Sequence, residues 1–591
     1  MYLPYLSEVQ NASKKYSVLF RGLNYGEGTQ DGEFAETHNI STDQYPCITQ
    51  RAARVQAETY ENPTTIHAKG KLLVIANGKV YYDGFEVGEI SEGKKQTATI
   101  GNYIVIFPDK KYYKVPTDDD ADGEFGSLEE EYESAGLVFS SSTISFVKSY
   151  KAKGLSFGRN YISKADANAY FPFNTGDVIT IKGCSESLNN KSDVVIKEAT
   201  ASKLTFEDGT FSSNKETNNE VTITRKVKGF PFRSGDAVTI EGCSNAGNNK
   251  TAEIIINEAT EDKLTFNDNS FTEATETGKI VFKRSVPDLD FICESNYRLW
   301  GTHGNTIYSS KFSDPFNFKV FENTAYDSYN IDVGSEGEFT GCIPYSSHIC
   351  FFKENTLHKL YGTKPSNFQI TTVNVYGVQS GSEKSMHIVN EQLLYKGVGG
   401  VYAYTGGVPE LISGKFGNNR YSDAVACCDG EKYYISMKQG EKWHLFTYDV
   451  MKNIWLREDE TQAVDMAFHD GKVYYIDEKG GLYYIDKEAD RSDIEWGATF
   501  CTIHETMNER KGYSKFHLRM DMSAGAWLAV DVKTDNDLQW KQVYTTHNEK
   551  AKTVSIPIIP TRCDSIDIRL RGKGKCTIKS FVREFTVGSD V

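Results

Sequence analysis

Four carboxylates in one loop form the best local match to a chemical site. In VPTDDDADGEFGSLEEEYES, the residues Asp118, Asp120, Asp122, Gly123 and Glu129 fit the twelve-residue calcium loop D-x-D-x-D-G-x5-E position by position. Carboxylates at alternate positions converge on one hard cation, and the glycine permits the sharp turn at the sixth position. The run before the loop, KKYYKVP, reads as a strand ending in Pro116 and not as an entering helix. Structural calcium held by Asp118, Asp120, Asp122 and Glu129 is therefore one expectation. A solvated acidic loop, which arises easily in a negative chain, is the other. No other cofactor is expected.

The remaining motifs lack the context their chemistry needs. Gly154, Ser156 and Gly158 satisfy G-x-S-x-G, but a nucleophile elbow requires a buried strand before it and a helix after it, and the flanks SYKAK and RNYISKADA are polar. His504-Glu505 has no second His one turn on, which removes the zincin reading, and Gly572-Lys573-Gly574-Lys575 lacks the upstream glycine of a P-loop. A glycosidase would need two acids flanking the scissile bond. Most Asp and Glu here fall in turns, where solvation is their simplest role.

The aromatic residues include Tyr-Tyr pairs starting at Tyr81, Tyr112, Tyr433, Tyr474 and Tyr483, with Trp443, Trp455 and Trp496. In a strand, adjacent side chains point to opposite faces, so one Tyr of each pair should face in and the other out. Core packing is the expected use, with a sugar- or base-stacking platform as the alternative. Eleven Cys without a CxxC pair fit neither a disulfide framework nor a zinc ribbon, and Cys427-Cys428 reads as two buried thiols.

The elements that must carry these residues are strands. With 35 Tyr, 33 Phe and 49 Gly, the composition suits many short strands joined by tight turns and excludes a helical bundle. Seven short apolar runs, each ending in a turn and followed by an aromatic strand, begin at Leu72, Tyr103, Arg298, His348, Gln392, Lys432 and Met466. After Arg298 they recur at about the length of a four-stranded propeller blade, so a β-propeller split by an insertion is the economical reading and an open stack of antiparallel sheets is the alternative. A sharper repeat lies between them: FPFNTGDVITIKGC from Phe171 returns as FPFRSGDAVTIEGC from Phe230. From Phe516 the strands alternate strictly, as expected of a sandwich with one wet face.

The expected fold is all-β: a β-propeller core with an inserted tandem pair of small β-domains and a C-terminal β-sandwich-like domain. The expected boundaries are an extended N-terminal arm at 1–54, the first part of the propeller at 55–164, two β repeats at 165–285, the rest of the propeller at 286–496, and the sandwich at 497–591.

The net charge of −15 disfavours a protein that grips nucleic acid through a broad basic surface. No stretch approaches the roughly 18 apolar residues of a membrane span, and the N-terminus lacks a secretory apolar run. No membrane anchor and synthesis in a bacterial cytoplasm are expected.

Several stretches resemble a family of tailed-bacteriophage virion proteins, the propeller-containing tail hub or nozzle proteins, also described as ring or packaged-DNA stabilisation proteins. They are GEFAETHNISTDQYPCITQR from Gly32, DFICESNYRLWGTHGNTIYSSKFSDPFNF from Asp290, YGVQSGSEKSMHIVNEQLLYKGVGGVYAYTGG from Tyr376, and IPTRCDSIDIRLRGKGKCTIKSFVREFTVGSD from Ile559. The resemblance implies a structural, non-enzymatic subunit of a ring, commonly a hexamer, in the virion tail. Adjacent tail and adaptor proteins, and tail fibres, would be its partners. DNA would pass through it without specific binding, consistent with an acidic chain. The alternatives are a receptor- or glycan-binding tail protein and a propeller glycoside hydrolase.

Overall fold

The computed structural model describes residues 12–117, 122–166, 170–226, 229–267, 269–276, 278–505, 509–535, 537–550, 552–559 and 562–590. Among these, strands joined by turns make up nearly all regular structure, and the helical segments are one-turn 3₁₀ pieces of three residues. No helix among the described residues is long and apolar enough to cross a membrane. The chain forms two compact units: Met1–Gln96, Gly334–Tyr361 and Gln369–Val591 in one, and Thr97–Val333 with Gly362–Phe368 in the other.

The first unit contains five four-stranded antiparallel meanders. One is Ser422–Cys428, Lys432–Gln439, Lys442–Asp449 and Ile454–Asp459. Its successor, Ala463–His469, Lys472–Asp477 and Gly481–Asp486, takes its fourth strand, Ala53–Thr59, from far upstream. First strands of successive sheets lie side by side, as in propeller blades. The second unit holds two more meanders, one from Gln96–Ile100 to Glu124–Ser127 and one from Phe291–Ser295 to Tyr329–Asp332. Val105, Phe107, Leu289, Leu299 and Phe316 form the core they share. Each of the seven apolar runs thus occupies its own four-stranded sheet, and the protein is all-β of propeller type.

The inserted modules are nested and not in tandem. Glu130–Ser134, Leu137–Ser140 and Thr143–Phe146 pair with strands of 237–284, while Ser149–Ala152, Leu155–Gly158 and Tyr161–Lys164 pair with strands of 178–226. The inner module, 149–226, interrupts the outer one. The boundary at 165 therefore moves back to 130. The early strands also repeat, Tyr132, Gly136, Leu137 and Phe139 against Tyr150, Gly154, Leu155 and Phe157, but too briefly to stand out from hairpins of the meanders.

The N-terminal stretch, expected as an extended arm over 1–54, contributes five strands to the two C-terminal sheets. Ser13–Ser17 and Ile48–Gln50 pair with successive parts of one edge of Cys576–Asp590 in one sheet, and Glu33–His38 pairs with Glu495–Phe500 in the other. The buried face of Ile566–Lys573 alternates strictly with its wetter face, as a half-buried strand should. Phe20, Leu23 and Phe34 join Phe516, Leu570 and Trp455 in one core. Gly22, at φ +78°, passes so close that a Cβ would lie 2.5 Å from the Trp455 carbonyl oxygen.

Candidate functional site

Of the calcium-loop residues, Asp118 and Asp120 lie outside the described residues. Glu129 is engaged by the protein: its Oε1 accepts from Lys110 Nζ at 2.9 Å and from the Val286 backbone N–H at 3.3 Å. Lys110 also pairs with Asp288 at 2.8 Å. Among the described residues, which leave out Asp118 and Asp120, no three His, Cys, Asp or Glu side chains are arranged to hold a metal ion.

The other motifs serve structure. Leu155–Gly158 is a strand hydrogen-bonded on both sides, with Ser156 opposite Ser163 and Lys215, so Ser156 occupies no elbow. Glu505 Oε1 accepts from Arg583 Nε at 2.7 Å. Gly574, at φ +77°, turns the chain between the two C-terminal sheets. All eleven cysteines are free thiols. Burial pushes Cys184 and Cys243 up to about 11 and about 12, which leaves them weak nucleophiles near neutrality.

The in-and-out expectation for the tyrosine pairs fails at Tyr112 and Tyr113 and at Tyr433 and Tyr434, where both members are buried. The sheet of Lys432–Gln439 is covered on both faces, so each neighbour needs a partner for its hydroxyl. Tyr433 donates to the Ser385 carbonyl at 2.6 Å, and Tyr434 to Asp429 at 3.3 Å. Tyr475 and Tyr483 stack at 5.3 Å with Arg54 over the former.

Several buried charges are closed into ion pairs that tie distant strands together. In the modules the same pair appears twice: Arg225 with Asp177 at 2.8 Å, and Arg284 with Asp236 at 2.7 Å. Asn317 extends the second, donating to Asp236 at 2.9 Å and accepting from the Ala237 N–H at 3.0 Å. Arg54 is clamped between Glu458 at 2.7 Å and Asp459 at 2.6 Å. Such pairs hold geometry.

The surface best built for contact is the 310–328 loop, which begins inside the stretch from Asp290 that carries the family resemblance. Buried Arg298 fastens it, donating to the carbonyls of Ser310 at 2.8 Å, Asp327 at 2.5 Å and Ala325 at 2.8 Å. Asp327 in turn accepts from the N–H groups of Glu322 at 2.7 Å and Thr324 at 3.2 Å. Facing it, the Asn296-Tyr297 turn has both residues left-handed, at φ +52° and +57°. The pair is the two-residue hairpin turn between Phe291–Ser295 and Arg298–His303, which needs both residues left-handed, a costly demand on a tyrosine. Phe312 packs between Tyr297 and Tyr326, both at 5.6 Å, and Tyr297, Tyr326 and Phe321 are 65%, 60% and 56% exposed. A long aromatic-rich interval, SKFSDPFNFKVFENTAYDS, where a meander needs only a short turn, was the available signal.

No family model matches the chain, and no curated protein matches it. Solved structures similar to it include BamB from Moraxella catarrhalis, at 7% identity over 75% of this chain and 98% of that one, with a TM-score of 0.31. An exo-β-1,3-galactanase from Phanerochaete chrysosporium is 9% identical over 48% of this chain and 92% of its own, with a TM-score of 0.19. The extracellular domain of a one-component system from B. thetaiotaomicron covers 93% of this chain and 95% of its own at 10% identity and a TM-score of 0.22. The fold assignment rests on the strand topology and not on these scores.

Proposed function

We propose that this protein is a non-enzymatic structural component of a bacteriophage tail, a hub or nozzle subunit that assembles into a ring, commonly sixfold, around the path of the ejected DNA. The observation that carries the reading is the exposed aromatic surface of Tyr297, Phe321 and Tyr326, with Phe312 packed between the two tyrosines. Tyr and Phe are enriched in interface cores, and side chains held in place before binding lose little entropy on docking. The sequence resemblance supplies the setting, with tail, adaptor and fibre proteins as neighbours and the virion as location. The net charge of −15 suits a conduit, because an acidic wall repels phosphates and lets DNA slide.

Gold-antibody labelling of intact particles from the source tests the reading. Label below the head is expected, and its position along the tail separates a distal nozzle from a connector nearer the head. Well-preserved, accessible particles without label would overturn it. Turnover of a host polysaccharide, abolished by one carboxylate substitution, would establish an enzyme instead.

A further inference from the structure

A second feature lies in the first unit, where two cations share a small cleft that contains no acid. Lys396, at the end of the strand Gln392–Gly397, is 1% exposed, and Arg420 stands at the rim. Val398, Ser413, Asn419 and Tyr421 also line the cleft, and no Asp or Glu does.

The polar contacts of Lys396 are both neutral. Its Nζ donates to Gln379 Oε1 at 2.6 Å and to the Gly397 carbonyl at 2.6 Å. An ammonium has three donors, so one remains for a ligand. Arg420 reaches only the Gly417 and Asn419 carbonyls, at 3.3 and 3.4 Å, and leaves most of its guanidinium unspent. Ser413 Oγ accepts from the Val401 N–H at 2.8 Å, which frees its own O–H to donate. A buried cation without a counter-ion is expensive, and the group responds as that predicts: burial, with Arg420 nearby, lowers Lys396 to about 8.

Size narrows the ligand. The cleft encloses about 110 Å³, room for roughly three or four waters at ~30 Å³ each, or for one small ion. Glycines bring its walls together: a Cβ on Gly400 would lie 2.4 Å from Ser413 Oγ and 2.7 Å from Leu411 Cδ1. A nucleotide does not fit, and a phosphodiester within a strand would have to reach a lysine that is almost wholly covered.

We infer that the cleft between Lys396 and Arg420 is a binding site for a free tetrahedral oxyanion of phosphate size. Lys396 supplies a charge-assisted donor from below, Arg420 closes over the ion with a planar fork of donors, and the Ser413 hydroxyl adds a third direction. The inference does not depend on the proposed tail function.

The test uses the full chain, dialysed into chloride and titrated with sodium phosphate at constant ionic strength. Melting temperature and isothermal titration calorimetry are the readouts. A saturable rise in melting temperature is expected, as for any ligand that binds only the folded state. Lys396→Met should abolish that rise while melting at or above the wild-type temperature in chloride, because an uncompensated charge has been replaced by an apolar chain. Arg420→Gln, at an exposed position that does not threaten folding, should weaken binding about tenfold. A phosphate response no larger than that of chloride overturns the inference. So does a response that survives both substitutions, or one given by acetate and not by phosphate.

Discussion

Arg583 Nη2 lies 2.7 Å from Asp31 Oδ1, joining the strand Cys576–Asp590 to the opening stretch of the chain. The same guanidinium donates to Glu505 at 2.7 Å and to Ser17 Oγ at 2.7 Å, and only 1% of its side chain is exposed. One cation thus fixes the N-terminal strands to the C-terminal sandwich. Arg583→Met should cost about 3–5 kcal/mol, because it leaves buried Glu505 without a counter-charge. Asp31→Asn, at a partly exposed partner, should cost about 1 kcal/mol or less. Urea unfolding of both variants checks the ranking; equal losses would refute the role given to Glu505.

Tyr297 separates folding from assembly. Tyr297→Gly relaxes a left-handed turn, a gain of about 1 kcal/mol, and loses the ring contact with Phe312, worth about 0.5–1 kcal/mol. Folding stability should stay within about 0.5 kcal/mol of wild type. Under the proposed function the same substitution should shift the oligomer toward monomer in sedimentation velocity, and an unchanged oligomer would remove this surface from the ring contact.

Asp531 makes stability depend on acid. Burial alone would raise its carboxyl, but hydrogen bonds from Arg571 and Arg569 outweigh burial and hold it below the ordinary value of 3.8. A folded-state value depressed in this way contributes stability above the unfolded-state value that is lost as pH falls through the folded one. Asp43 and Asp459, held down against burial by Lys432 and Arg54 respectively, act in the same direction. The urea midpoint should therefore drop below about pH 4, and Asp531→Asn should flatten that drop while lowering the plateau above it.

The inner module should be removable. Its ends meet where the Arg225 N–H donates to the Lys148 carbonyl at 2.9 Å. Replacing 149–226 by a short Gly-Ser linker should leave a folded chain: Phe146 keeps its 4.3 Å stack on Phe230, and the outer module loses the Arg225 contact on Phe146, worth about 1 kcal/mol, and the Asn174 hydrogen bonds to Ser134 and Ala135, groups that water can then reach. A cooperative melt close to that of the full chain is expected; an insoluble product would show that the outer module needs the inner one.

Glu129 offers a direct test of the calcium loop. Glu129→Gln should cost no more than about 1 kcal/mol, through its half-exposed pair with Lys110. That loss should be the same in calcium and in chelator. A loss confined to calcium-containing buffer would return Glu129 to the loop.

Local periodicity determined much of this protein. Alternation and turn residues marked the strands, the seven apolar runs marked the seven meanders, and the repeats at Phe171 and Phe230 marked the modules. Such signals arise because a strand's two faces, or a tight turn, are decided by residues a few positions apart. Tertiary structure alone decided what lies far apart in the chain. It nested one module in the other, set Ser17 opposite Phe581, and covered both Tyr433 and Tyr434 by packing on two faces. It also placed Lys396 and Arg420, on separate segments, around one cleft with no acid. Pairing across hundreds of residues and the counter-ion of a buried charge depend on which surfaces meet in space, and no local pattern of residues carries that information.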